Sequence, residues 1–588
     1  MLTPLFHFLL YRPSAAEAKQ YFSAFKNHFR PFHWKSEIDG ELLDMVFDKK
    51  RAADRRDWIL NEYDEKADVV VDPATGNFVS YEDFVNKEMI HFSHADNIRS
   101  IPNAIDGLKP SQRKVLYACF KRKLKSEVKV AQLTGYCAEH TAYHHGEASL
   151  QATSKCWAII EGVRCHMSLP LISFVFTISP VIGMAQDFVG SNNVNLLVPS
   201  GQFGTRLAGG ADAASPRYIF THLSRVARYL FPEVDDLLLT HREDDGNVIE
   251  PEFYCPVIPL LLVNGSQGIG TGWSTFIPPH NPQDVLNYIR AKLDGAEEAP
   301  PIRPFARGFS GKIEAIGDGT GYRTHGRASK ATNKSVIIDE LPLRCWTNAY
   351  KEQLLKMRDR GDISTFVENH TTSKVSFTVQ LKAAKLTRMT RSGLAKAFKL
   401  ETNLRTTNMH AFDENYQMIK FETAESIADA FFPIRLALYH DRKSLLESEI
   451  NHDATVLRNK AQFIQAVTTG EIDLMSGRKT KEEMASTLQD MGLTKSTDLK
   501  VIKDNNALAK RRQATEIDIK DAASTDVPVL FSSEYDYLLN MPLSSLTVEK
   551  IDDLQREASK KEVDLKQVQV TTPEDLWRHD LDKLKPLL

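Results

Sequence analysis

Six cysteines in 588 residues, at positions 119, 137, 156, 165, 255 and 345, never fall at the Cys-x-x-Cys spacing of a zinc or redox site. A reduced, intracellular protein is expected rather than a disulfide scaffold or a zinc site. No apolar run reaches the roughly 18 residues of a membrane span, so no membrane partner is expected. The opening Met1-Leu-Thr-Pro-Leu-Phe-His-Phe-Leu-Leu10 has an apolar core but neither a basic leader nor a cleavage site, which makes it a poor signal peptide. Charge of one sign is also missing: the formal net charge is −3, so any nucleic-acid footprint has to be local. Nor does a cluster of carboxylates stand at metal-binding spacing, which argues against a hydrolytic nuclease.

A local footprint is present. Between Lys109 and Lys129 lie Lys109, Arg113, Lys114, Lys121, Arg122, Lys123, Lys125 and Lys129, against the single acid Glu127. The turn Gly107-Leu-Lys109-Pro opens a helix at Ser111, and lysines at a helix N-terminus suit phosphate oxygens. Arg99, Asp106, Lys109, Arg113 and Lys114 are the candidate backbone-binding residues, with Asp106 assigned to orienting a neighbouring basic group. His144 and His145 stand in Tyr-His-His-Gly-Glu and can donate to a phosphate. The stretch with most chemistry in it is Asp212-Ala-Ala-Ser-Pro-Arg217-Tyr218-Ile-Phe220. A phenol has a reference pKa of about 10, and a neighbouring guanidinium favours its anion and can neutralise charge on a phosphate under attack. Glycines at 201, 204, 209 and 210 would let this backbone come close to a nucleic-acid strand. Tyr218 is thus a candidate covalent catalyst aimed at a phosphodiester. From residue types alone the bland alternatives stay open: a solvated helix face, a structural histidine pair, a surface arginine beside a half-buried ring.

Those stretches resemble, in order, the eukaryotic type IIA DNA topoisomerases. The resemblance rests on Asn97 to Leu116, Ala142-Tyr-His-His-Gly-Glu147, Gly190-Ser-Asn-Asn193, Asp212 to Phe220 and Val263-Asn-Gly-Ser-Gln-Gly-Ile269-Gly-Thr-Gly-Trp273-Ser. It implies a DNA strand-breaking core in which Tyr218, Arg217 and His145 are catalytic and Arg99, Asp106, Lys109, Arg113, Lys114, His144 and Ile269 bind DNA. Ile269 would wedge between base pairs and bend the duplex. The implied partners are double-stranded DNA and a second copy of the chain, met through the winged-helix domain and the C-gate, and the implied compartment is the nucleus. Mg2+ and ATP serve the whole family's enzyme, but the Glu-Gly-Asp and Asp-x-Asp metal signature and the ATP-binding region are not found here, so no metal ligand is assigned. The expectation for these 588 residues is DNA binding and dimerisation with little or no relaxation of supercoils. Two other readings stand beside it. One is a non-cleaving structural protein derived from a topoisomerase. The other, a bacterial-type gyrase A relative, is weakened by the Arg-Tyr-Ile-Phe context and by the absence of a C-terminal repeat domain.

The expected fold is α+β and mostly helical, in several domains. Residues 1–15 are an atypical N-terminus. Residues 16–79 are the tail of the metal-binding TOPRIM module with a linker, read as helix through residue 63. Residues 80–290 are the winged-helix breakage–reunion domain, 291–425 a mixed α/β tower, and 426–588 a long antiparallel coiled coil with the C-gate. In the last, Ile450, Leu457 and Ile464 recur every seventh residue, and Ile551, Leu554, Ala558 and Leu565 answer on the return. One segment breaks the pattern. Residues 154–180 interrupt what should be a single DNA-facing helix and carry Pro170 and Pro180, which such a helix would not tolerate. They read as a translated intron, and the N-terminus as a related error of gene prediction.

Overall fold

The computed structural model describes residues 19, 23, 31–67, 69, 78–141, 179–244, 246–317, 319–472, 481–504, 534–542 and 547–588. His144, His145 and most of the 154–180 segment lie outside the described residues. The chain divides into two compact units, one built mainly from residues up to Phe432 and the other from Pro232–Leu238 with Pro433–Asp582.

In the first unit the chain begins with α1 (Glu37–Phe47) and α2 (Ala52–Glu62). Ser36 caps α1, with Asp39 reaching back to the Ser36 amide as its reciprocal partner. This corrects the expectation of helix through to residue 63: Phe32–His33 is a short strand paired with Val79–Ser80, and the backbone turns extended at Asp48. The charged stretch from Lys49 to Asp57 runs largely into the start of α2. It is a helix because Trp58 and Ile59 bury on one face while Arg51 pairs with Asp54 at the start.

α3 (Ile90–Ser100) then leads into the Gly107 turn and α4 (Pro110–Lys121). Pro110 takes the first helical position, where its missing N–H costs nothing, and the Lys109 amide donates to Gln112 Oε1 at 2.9 Å. β1 (Val128–Lys129) and α5 (Val130–His140) follow, then β2 (Leu197–Ser200) and β3 (Phe220–Leu223). β3 pairs antiparallel with both β1 and β2, giving the small three-stranded wing beside α4 and α5 that defines a winged helix. β4 (Ser266–Ile269) and β5 (Ser274–Ile277) form a hairpin with Gly270 to Trp273 as its tip.

Beyond it lies a four-stranded antiparallel sheet, in spatial order Arg327–Thr332, Ser335–Glu340, Phe377–Gln380 and Thr365–Glu368. Its inward residues Val336, Ile338, Phe377 and Val379 pack with Tyr350 and Leu354 of α6 (Thr347–Asp359). Alternation along the strands produces this: each second residue faces the helix.

The second unit is helical. α7 (Ala424–Thr468) runs 45 residues and passes through Pro433 without ending. Within this unit Ala461, Ile464 and Leu457 pack on Ile551 and Leu554 of α8 (Val548–Val570). Lys561 pairs with Asp453 at 3.0 Å, and Lys443 donates to the Gln569 carbonyl at 2.9 Å. Partners on α8 rise in number as those on α7 fall, so the two helices are antiparallel, as the heptad spacing predicts. Asp235 lies buried between Arg435 and Arg442, at 2.8 and 2.5 Å. Among the described residues no helix is long and apolar enough to cross a membrane.

Candidate nucleic-acid interface

Tyr218 is 70% exposed, and the chain around it is fixed from below. The Tyr218 amide donates to Ser215 O at 2.9 Å; the first turn of α5 holds the segment from beneath, Val130 N–H donating to Ile219 O and Ala131 N–H to Pro216 O. Ile219, one residue on, is buried, so alternation into β3 turns the phenol outward. The Arg217 guanidinium sits 6.0 Å from the centre of the Tyr218 ring, over its face, at the outer range of a cation–π contact. Among the described residues the Tyr218 hydroxyl meets no hydrogen-bonding partner.

The glycine-rich approach does something other than what was expected. A Cβ on Gly209 would lie 2.3 Å from Trp346 Cε2, one on Gly210 2.4 Å from Gln186 Nε2, and one on Gly204 2.5 Å from Gly210 Cα. At these three positions the missing side chain is required by packing within the protein itself. Asp212 completes the seat, accepting from Thr205 N–H at 2.8 Å and from its hydroxyl at 2.6 Å. Arg206 is buried in a salt bridge to Glu340 and donates to Leu341 O at 3.1 Å.

Ile269 is 66% exposed at the end of β4. Its hairpin is pressed onto α3: a Cβ on Gly268 would lie 2.0 Å from Ser100 O, and Asn97 donates to Thr271 O at 3.1 Å. The Lys109 ammonium is turned inward and donates to Gln267 O at 2.7 Å. Its amine end is enclosed, and that burial pushes its pKa down to about 8.

The remaining cations separate into two sets. Arg113 is only 2% exposed and Asp106 is wholly buried; the guanidinium meets both carboxylate oxygens, at 2.8 and 3.2 Å. Asp106 also accepts from the amides of Leu108 and Tyr254. Asp106 thus fixes the Arg113 guanidinium, and Arg113 presents no donor to solvent. Lys114 is also engaged, with Glu250 at 2.7 Å and Thr141 O at 2.6 Å. Arg99 is exposed at the end of α3, 3.3 Å from Asp96 and over the Phe92 ring. The outward cations are Lys121, Arg122, Lys123, Lys125 and Lys129, running from the last turn of α4 to the wing. Lys121, Arg122 and Lys129 lie over Tyr117, Tyr136 and Phe220. Helical spacing held the clue: Arg113, Leu116 and Phe120 share one face, and that face is buried.

Two residues outside the predicted site set, Asn193 of the Gly190–Asn193 motif and Arg344, help to order this region. Asn193 donates to the carbonyls of Val263, His280 and Phe305 and accepts from the Arg307 amide, tying three chain segments together. Arg344 stands with φ at +67°, a conformation that costs an L-residue about 1–2 kcal/mol. Its guanidinium donates to Gln267 Oε1 at 2.8 Å and stacks on Phe276 at 4.7 Å.

A family model for the A-type subunits of DNA gyrase and topoisomerase IV matches residues 99–154 and 177–582. The chain belongs to the type IIA DNA topoisomerase family. The match is interrupted over 155–176, inside the 154–180 segment that breaks the sequence pattern. A second model, the C-terminal associated domain of TOPRIM, matches residues 10–97. DNA topoisomerase 2 of Plasmodium falciparum (isolate K1 / Thailand) is 40% identical over 97% of this chain, and that of Arabidopsis thaliana 39% over 97%. Human DNA topoisomerase 2-beta is 39% identical over 97%. The chain spans 38%, 37% and 34% of the length of these three relatives. Among solved structures, the Plasmodium falciparum topoisomerase II DNA-binding, cleavage and re-ligation domain superposes with a TM-score of 0.76 at 38% identity. That alignment covers 98% of this chain and 73% of the other.

Proposed function

We propose that this topoisomerase-family chain forms the breakage–reunion core that cuts and reseals duplex DNA through Tyr218. The observation that carries the reading is an outward phenol on an immobilised backbone, with a guanidinium beside it and an exposed basic wing next to it. In the step, the Tyr218 oxygen bonds to phosphorus as the bond from phosphorus to the 3′-oxygen breaks. The phenol proton is lost and a proton is gained by the departing 3′-oxygen, leaving a 5′-phosphotyrosyl link and a free 3′-hydroxyl. One phosphate ester replaces another, so resealing is the same step reversed and needs no outside energy source. Arg217 offsets charge on the pentacovalent phosphate, joined by His145 as the family resemblance implies. Lys121 to Lys129 and Arg99 hold the backbone electrostatically, while Ile269 enters the stack at the bend.

Two copies cutting opposite strands would open a gate for a second duplex; the pairing surfaces in this reading are the winged-helix domain and the C-gate, and the site of action is the nucleus. Mg2+ and ATP belong to the family's whole enzyme. Among the described residues no three His, Cys, Asp or Glu side chains gather as a metal-binding group, and Asp212, the acid nearest Tyr218 in sequence, is committed to Thr205. Among the described residues, these side chains do not fit a metal site.

The test uses a duplex whose bridging 3′-oxygen is replaced by sulfur at one position, so that the leaving group needs no acid. Incubation with the chain followed by denaturation should leave DNA covalently attached to the wild type and none attached to Tyr218→Phe. DNA bound but never attached would refute the cutting reading and leave the non-cleaving DNA-binding protein in its place.

A further inference from the structure

Tyr218 and Ile269 stand on separate loops, and one short segment grips both. The segment is Glu340 to Asn348, between the sheet strand Ser335–Glu340 and the first turn of α6. At its centre Arg344 holds Gln267 and Phe276, which face each other across the β4–β5 hairpin. Gln267 and Ile269 are two apart on β4 and so share a face, which makes the grip a hold on the side that carries the wedge. Two residues past Arg344, the Trp346 ring lies in the space a Gly209 side chain would need. Glu340 is paired with Arg206, and the Asn348 amide donates to Leu207 O at 3.0 Å. Arg206, Leu207 and Gly209 belong to the loop that Asp212 closes just ahead of Tyr218. The chain of contacts therefore runs without a gap from the hairpin through the segment into the tyrosine loop.

The backbone at Arg344 is the telling feature. Its left-handed conformation is one glycine would adopt freely, yet the position carries a long cationic side chain whose planar end both stacks and donates. The strain is retained where it aims a side chain at the hairpin.

We propose that Arg344 is a positioning residue and that the Glu340–Asn348 segment couples wedge to nucleophile, aligning Tyr218 when the Ile269 hairpin is seated in bent DNA. The inference rests on the strand-breaking reading above and adds to it a link between bending and attack.

The test compares the full chain with Arg344→Gly, Gln267→Leu and the double variant on the sulfur-bridged duplex. Bending is followed by energy transfer between dyes on the duplex ends and attachment by denaturing gel. Arg344→Gly suits the local backbone, so its unfolding midpoint should match the wild type and its duplex affinity should stay within about threefold. Attachment at Tyr218 should slow by roughly tenfold to a hundredfold, the scale of a nucleophile displaced by about an ångström. Arg344→Lys should recover part of that loss. The double variant should be no slower than the slower single one, since both remove one contact. Attachment by Arg344→Gly at the wild-type rate would overturn the coupling, as would two losses that multiply. Ile269→Ala separates the layers: if it abolishes bending while wild type bends and attaches, the strand-breaking reading stands and the Arg344 result decides the coupling alone. A wild type that neither bends nor attaches would bring down both.

Discussion

The turn at Asp106–Arg113 and the loop at Asp212–Tyr218 look alike as sequence. Each has an acid, a proline and an arginine within a few residues, next to glycine. In the fold they are opposites. At the turn, acid and base face inward and consume each other; at the loop, the acid faces inward onto Thr205 while Arg217 and Tyr218 stand in solvent. The difference lies in what each arginine's neighbours are. Arg113 sits on a helical face completed by Leu116 and Phe120, so burying that face takes the guanidinium with it. Arg217 lies with Tyr218 in the turn ahead of β3, where both stand exposed and only the next residue, Ile219, is buried. The first region holds the domain together, and the second is left free to meet a ligand.

Removing a charge should separate the two most sharply. Arg113→Ala leaves the Asp106 carboxylate buried without its counter-ion, and a loss of about 3–5 kcal/mol is expected in denaturant unfolding of the first unit. Arg217→Ala should change that unfolding by less than about 0.5 kcal/mol. Comparable losses for the two would erase the distinction. Next in size is the seat of the tyrosine loop. Gly209→Ala needs a Cβ where Trp346 already stands, at a φ of +63°, and should cost about 2–3 kcal/mol in the same experiment.

Lys109 sharpens the comparison through pH. Burial lowers its pKa from 10.5 to about 8, so between those values the unfolded chain holds a proton that the folded one has released. Stability from this group is therefore present above pH 10.5 and lost as pH falls through 8, by on the order of 2 kcal/mol after allowance for partial solvent access. Measured between about pH 7.5 and 10, the rise in stability should be steeper for the wild type than for Lys109→Met. Equal slopes would mean the ammonium is not enclosed. The smallest expected effect is at the exposed phenol: Tyr218→Phe should leave the unfolding midpoint within experimental error, since 70% of the residue is already in water.

Much of the architecture was legible in the chain because periodicity records burial. The seventh-residue recurrence of Ile450, Leu457 and Ile464 marked a helix partner, and Leu457 and Ile464 do pack on α8. The candidate residues could be picked out by type, but which way each side chain faces could not. Lys114 reads as one more cation of a basic helix, yet Glu250, more than a hundred residues away, engages it. Glycines 204, 209 and 210 indicate close approach without saying to what, and here the partners are Gln186, Trp346 and one another. Arg344 was invisible for a related reason: nothing in Leu-Pro-Leu-Arg-Cys-Trp tells of a left-handed arginine reaching Gln267. Such long-range pairings are set by tertiary packing, which local pattern does not encode. The histidine pair and most of the 154–180 segment lie outside the described residues, so their arrangement does not enter this contrast.

The most direct test of the account is the identity and polarity of the covalent bond. After reaction with the sulfur-bridged duplex and denaturation, the peptide carrying nucleotide should contain Arg217-Tyr218. Its phenol should be joined to a 5′-phosphate, and the other end of the cut strand should carry a 3′-thiol. Nucleotide carried by any other peptide, or a link through the 3′-phosphate, would contradict it.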